Sequence, residues 1–201
     1  HINQQDVEST LRPFVGEGFF SLDIQKVRQT LSEKSWAESV SIRRVWPDRV
    51  VIQIVEKQPV ARWDKHHLLS DNAKIFKAEV SGFQNLPQVF GANIDPDTVL
   101  SQYYKYAQRF QTLNETISAM TVDSRGSVGI ELDDGFTIKL GRDNVDHKID
   151  RLVSIYAQQI KPRRTEIHQL DLRYSNGFAV AWKKEALIDR DEASLWRKNN
   201  V

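Results

Sequence analysis

Asp133 and Asp134 are adjacent carboxylates that could serve acid–base chemistry or a hard cation. Gly135 follows them, and alternating apolar residues flank them. Asp is favoured in that setting for backbone reasons, so the pair reads as a hairpin turn. His66 and His67 are the one adjacent pair among five His. Consecutive side chains on a strand point to opposite faces, so the two cannot easily share a metal ion. Arg43-Arg44 and Arg163-Arg164 are small basic pairs without an aromatic-interleaved basic stripe, and they read as solvated charge rather than a nucleic-acid platform. No G-x-S-x-G, Walker loop or dinucleotide fingerprint occurs. Gly16-x-Gly18 lacks a preceding strand and a third Gly and reads as a loop. Cys is absent, which removes disulfides, thiolate metal sites, Fe–S clusters and Cys nucleophiles. The residues give no catalytic constellation, no metal site and no cofactor site, so a hydrolase has no nucleophile or carboxylate pair to place.

Tyr174, Phe178 and Trp182 are distinctive for where they lie, on the last strand pair of the chain. A last strand often forms a sheet edge, whose free N–H and C=O groups can pair with another chain. Two readings stand on physics alone. The three are core or scattered surface aromatics, or they anchor a partner segment added as a strand.

These residues need elements to hold them. The chain has 201 residues, which bounds it at about one to two domains. Lys plus Arg number 28 against 27 Asp plus Glu, which argues against a strong nucleic-acid footprint. No stretch approaches the ~20 apolar residues of a membrane helix, and no signal peptide is visible. The chain starts at His1 rather than Met, as a fragment would, so a targeting or anchoring segment is compatible with it.

Periodicity predicts helices over residues 4–11, stopped by Pro13, and from a Ser21 or Asp23 cap with Leu22, Ile24, Val27 and Leu31 as its apolar stripe. Strands follow over 40–46 and 50–56 around the turn signal Pro47-Asp48, closing a helix–helix–strand–strand module near Trp63. A tight hairpin is expected around Asp71-Asn72-Ala73. Asp95-Pro96 starts a helix to about Leu113. The clearest hairpin alternates Val128, Ile130 and Leu132 with Phe136, Ile138 and Leu140. A helix from Asp143 or Asn144 to about Gln159 precedes the last strand pair, which turns at Ser175-Asn176-Gly177. Residues 183–201 are charged and read as a frayed end.

One segment carries a family pattern: Trp36, then Arg44, Trp46-Pro47, Glu56 and Pro59-Val60-Ala61-Arg62-Trp63. Further along stand Leu86-Pro87, Ala119-Met120-Thr121, Leu140-Gly141-Arg142 and Leu170-Asp171-Leu172-Arg173-Tyr174, with Gly177 and Trp182. In this order the pattern resembles the FtsQ/DivIB family of bacterial cell-division proteins, most closely its Gram-negative branch.

That resemblance implies an α+β chain. A POTRA domain over 1–60, its first strand upstream of His1, is followed over 61–183 by a larger β domain with an antiparallel sheet and flanking helices, then a charged tail over 184–201. It implies a non-enzymatic scaffold in the periplasm at the division septum, held in the inner membrane by a single upstream helix. The expected partners are FtsB and FtsL, with FtsK through the POTRA domain and no nucleic acid. The family places FtsB on the last β strand, here Arg173, Tyr174, Asn176, Gly177, Phe178, Ala179, Val180 and Trp182. It also uses a basic residue before the central hairpin, for which Arg125 is the nearest match. On the POTRA side, the edge strand with Ser39, Ile42 and Arg44 is the candidate surface. The competing reading is a POTRA-type periplasmic chaperone or generic strand acceptor, which would bind many unpaired strands weakly.

Overall fold

The computed structural model describes residues 2–14, 16, 18–174 and 177–183. The backbone divides into two compact units, residues 1–84 and 85–201.

In the first unit, α1 (Gln4–Leu11) is capped by Asn3, whose side chain accepts from the Asp6 N–H at 2.7 Å. A 3₁₀ turn over Arg12–Phe14 follows at Pro13. In α2 (Ile24–Ser32) the Asp23 carboxylate accepts from the N–H groups of Gln25 and Lys26, at 3.0 and 3.1 Å. Val27 and Leu31 are buried, Leu22 and Ile24 only partly, and α2 lies on β1. β1 (Ala37–Val45) and β2 (Arg49–Glu56) form an antiparallel pair joined by a turn with a cis Trp46-Pro47 bond. β3 (Pro59–Arg62), β4 (His67–Ser70) and β5 (Ile75–Lys77) pair antiparallel in succession.

The unit runs on to Gln84, beyond residue 60, because the helix–strand module is bonded to these later strands. Trp36 meets Phe76 edge-on, with ring centroids 5.0 Å apart, over a core of Leu68, Phe76 and Val80. Glu38 accepts from Asn72 Nδ2 at 2.6 Å and Lys74 Nζ at 2.7 Å. Lys57 Nζ donates to the carbonyls of Ser35 and Ala37, and burial lowers its pKa.

The second unit contains β6 (Gln88–Gly91), α3 (Pro96–Gln111), β7 (Ile117–Val122), β8 (Val128–Leu132), β9 (Thr137–Gly141), α4 (Val145–Ile155), β10 (Ile167–Asp171) and β11 (Ala179–Trp182). Its strands lie in the order β11-β10-β9-β8-β7-β6. The hairpins β8–β9 and β10–β11 are antiparallel, as expected, and β7–β8 is antiparallel too. β6–β7 and β9–β10 are parallel, because α3 and α4 each carry the chain back across the sheet. Buried Val128, Ile130, Leu132, Phe136, Ile138 and Leu140 alternate as the sequence predicts. Tyr106 and Phe110 of α3, and Ile149 and Leu152 of α4, are also buried.

α4 ends four residues early and continues as a π-helical turn, Tyr156–Ile160, which buries both of its end residues. The Tyr156 hydroxyl donates to Glu115 Oε1 at 2.6 Å, and burial raises its pKa. Arg164 departs from the solvated reading. Its side chain is 12% exposed, pairs with Asp134, and stacks 3.6 Å from the Phe136 ring centroid. Asp134 still serves the turn, accepting from the Phe136 N–H at 3.2 Å. No helix among the described residues is long and apolar enough to cross a membrane.

Candidate partner-docking surface

The backbone of β11 supplies the first part of the site. Among the described residues β11 pairs with β10 alone. The Lys183 N–H donates to the Glu166 carbonyl at 2.8 Å, so Lys183 turns its main-chain groups toward β10. Main-chain direction alternates along a strand, so Ala181 and Ala179 also face β10. By the same alternation the N–H and C=O groups of Val180 face away from β10.

The side chains of Phe178, Val180 and Trp182 are partly buried along one wall of a groove of about 400 Å³. Gln158, Gln159, Ile160 and Arg163, from the π turn and the residues after it, make the other wall. Arg151 of α4 fixes where β11 begins, with Nη2 donating to the Gly177 carbonyl at 2.9 Å. Tyr174, three residues past the end of β10, is 59% exposed. Leu172 is buried but lies beyond the end of β10 at Asp171, so the predicted strand is two to three residues too long. Asn176 and residues 184–201 lie outside the described residues.

Arg173 is bonded to Asp171 through both its backbone and its guanidinium. Asp171 is 7% exposed, and its Oδ1 accepts from the Arg173 N–H at 3.0 Å. Arg173 Nε lies 2.9 Å from both carboxylate oxygens, and Nη2 donates to Oδ2 at 2.6 Å. These bonds keep the Asp171 carboxyl below the usual carboxylate range. Gly141, at φ +73°, lies beneath the Arg173 stem. A Cβ there would come within 3.3 Å of Arg173 Cγ and 3.6 Å of Lys148 Nζ. Lys148 Nζ donates to the Leu140 carbonyl at 2.8 Å.

Arg125 is exposed in the β7–β8 turn, where its N–H donates to Asp123 Oδ1 at 2.9 Å. The next residue, Gly126, approaches Arg142 Cβ to 3.9 Å from its own Cβ position. The turns after β7, β9 and β10 therefore gather Arg125, Arg142, Lys148 and Arg173 at one end of the sheet. Arg142, Lys148, Arg151 and Asp171 were not on the sequence's list of candidates. The signals for two of them were present, in Leu140-Gly141-Arg142 and Leu170-Asp171-Leu172-Arg173, but the spacing does not show that these turns meet.

On β1, Ser39 is exposed on the face opposite Ile42 and Arg44. Ile42 is half-buried. Arg44 is exposed but committed, with its guanidinium donating to the carbonyls of Phe19 and Leu22 at 2.9 and 2.6 Å. At the histidine pair, His67 Nδ1 lies 2.9 Å from Asp64 Oδ1, while the His66 N–H donates to the same oxygen at 2.7 Å.

An α+β chain with a four-residue strand paired on one side among the described residues, a mixed polar and apolar groove behind it and cations at its end has the makings of a peptide-binding adaptor. Residues 61–173 match the family profile described as cell division protein FtsQ/DivIB, C-terminal, and residues 1–57 match the POTRA domain, FtsQ-type. The chain is 30% identical over 184 residues to the cell division protein FtsQ of Coxiella burnetii, covering 91% of this chain and 76% of that protein. It is 33% identical over 184 residues to FtsQ of Actinobacillus pleuropneumoniae, covering 88% and 79%, and 27% identical over 194 residues to FtsQ of Aliivibrio fischeri, covering 96% and 75%. The chain belongs to the FtsQ/DivIB family of cell-division proteins, with a POTRA domain followed by the family's C-terminal domain.

Proposed function

We propose that this chain is the periplasmic part of a non-catalytic divisome scaffold, held in the inner membrane by a single helix upstream of His1. On this reading residues 1–60 are the POTRA domain, 61–183 the β domain and 184–201 a tail. FtsB docks on β11 by strand addition and brings FtsL with it, so that early division proteins are joined to septal wall synthesis. FtsK engages the POTRA domain along β1, at Ser39, Ile42 and Arg44. The observation that carries the reading is β11, which pairs with β10 alone among the described residues and turns the main-chain groups of Val180 away from it beside the groove. Tyr174, exposed past the end of β10, supplies an aromatic anchor, and Arg125, Arg142 and Arg173 supply charge for acidic partner residues.

The test is a titration of the chain with the soluble C-terminal half of FtsB, beside a scrambled strand-forming peptide. FtsB binds and the scrambled peptide does not. Tyr174→Ala weakens binding by about 2 kcal/mol or more while the melting curve stays in place. Equal weak binding of both ligands makes the chain a generic strand acceptor, and a folded Tyr174→Ala with full affinity removes Tyr174 from the site.

A further inference from the structure

Phe20 and Trp46 are the most exposed large apolar side chains among the described residues, at 82% and 79%. They are distant in sequence yet joined in space. Arg44, two residues before Trp46, donates through Nε and Nη2 to the carbonyls of Phe19, Phe20 and Leu22, at 2.9, 3.4 and 2.6 Å. The Phe19 ring meets Phe20 edge-on at 5.1 Å and lies 5.9 Å from the Arg44 guanidinium. The loop before α2 is thereby stapled to the β1–β2 turn, and one tip presents both aromatics. Exposed Arg43 and Arg49 flank the tip. The acids nearest in sequence are Asp48, inside the turn, Asp23, whose carboxylate is occupied in capping α2, and Glu17, which lies outside the described residues.

We propose that this tip seats on a phospholipid surface carrying anionic headgroups. Projecting aromatics, Trp among them, partition to the headgroup level, and neighbouring cations draw them to anionic lipid. The path of the chain points the same way, given the anchored reading above. The Ile2 N–H donates to the Glu56 carboxylate, at the end of β2 opposite Arg49. A preceding strand laid along the open side of β2 and ending there begins about 25 Å away, at the Trp46 end. A membrane helix upstream of that strand emerges beside the tip.

The experiment is flotation of the chain with vesicles of phosphatidylethanolamine and phosphatidylglycerol, against phosphatidylcholine alone, with melting curves of every variant. The chain floats with the anionic vesicles, and bromine-labelled acyl chains quench its indole emission. Phe20→Ser with Trp46→Ser lowers partition about tenfold, and Arg43→Glu with Arg49→Glu lowers it as far without touching the Arg44 staple. Absence of flotation, flotation unchanged in the Phe20/Trp46 double variant, or equal flotation with phosphatidylcholine overturns the proposal. Self-association abolished by that double variant in the absence of vesicles also overturns it, in favour of a second copy as the occupant. The FtsB titration needs no lipid, so the scaffold reading stands or falls separately.

Discussion

Replacing Val180 by Pro removes one N–H from β11, and the register dictates which side of the strand loses it. Lys183 bonds Glu166, so by alternation the Val180 N–H faces away from β10 and the Ala181 N–H faces it. Val180→Pro therefore leaves the β10–β11 ladder intact, as Pro does on edge strands whose N–H faces solvent. In a strand-added complex it deletes one interchain bond and leaves the partner's carbonyl without a donor. That costs about 1–3 kcal/mol, roughly a 5- to 150-fold loss of affinity for the soluble C-terminal half of FtsB. Val180→Ala reports how much of the loss is side-chain packing in the groove. Ala181→Pro makes the reverse perturbation, breaking a bond to β10 and lowering the melting temperature. Isothermal titration and thermal melts on the three variants separate these effects. Wild-type affinity in a folded Val180→Pro, or equal loss of stability in both proline variants, refutes the edge geometry.

Two further outcomes test how the cationic end is built. Gly141→Ala places a Cβ at φ +73° against Arg173 Cγ; it destabilises the chain by about 1–2 kcal/mol in denaturant unfolding, whereas no loss would mean that the Arg173 stem moves freely. The Asp171 carboxyl is lowered below its unfolded value by its bonds to Arg173, so its contribution is complete above the unfolded pKa of about 4 and disappears as pH falls through the folded value. Asp171→Asn flattens the acid limb of a melting-temperature profile, and a profile that keeps its wild-type slope counts against the pairing.

Local chemistry made much of the fold legible. Asp23 and Asp95 mark helix starts through their side-chain acceptors, and Asp133-Asp134-Gly135 marks the one turn its flanking strands allow. What escaped depends on distant partners. The parallel pairs β6–β7 and β9–β10 follow from where α3 and α4 return the chain, which no local window contains. Arg164 reads as surface charge until Asp134 and Phe136 are brought against it. The docking edge divides in the same way. Tyr174, Phe178 and Trp182 stand out in the sequence as aromatics of the last strand pair, although only Trp182 lies within a strand, and Tyr174 and Phe178 fall in the connection between β10 and β11. Asp171 and Lys148 become visible only when Gly141 lets Arg173 settle onto the sheet.

The shortness of β11 limits what strand addition alone can achieve. In its four residues only Val180 and Trp182 alternate away from β10, which caps strand addition at about four main-chain bonds at roughly 0.5–1.5 kcal/mol net each. Their sum, about 2–6 kcal/mol, reaches at best the low end of the ~4–15 kcal/mol lost in translational and rotational freedom on association. A partner recognised by backbone pairing alone would bind weakly and without preference, which is the behaviour of a generic strand acceptor. Specific binding must draw its surplus from the side chains around the edge. Those are Tyr174, the groove behind Phe178, Val180 and Trp182, and the cations fixed by Asp171 and Gly141. The proline variant probes the part of the free energy that any strand would gain, and Tyr174→Ala probes the part that only the right partner gains.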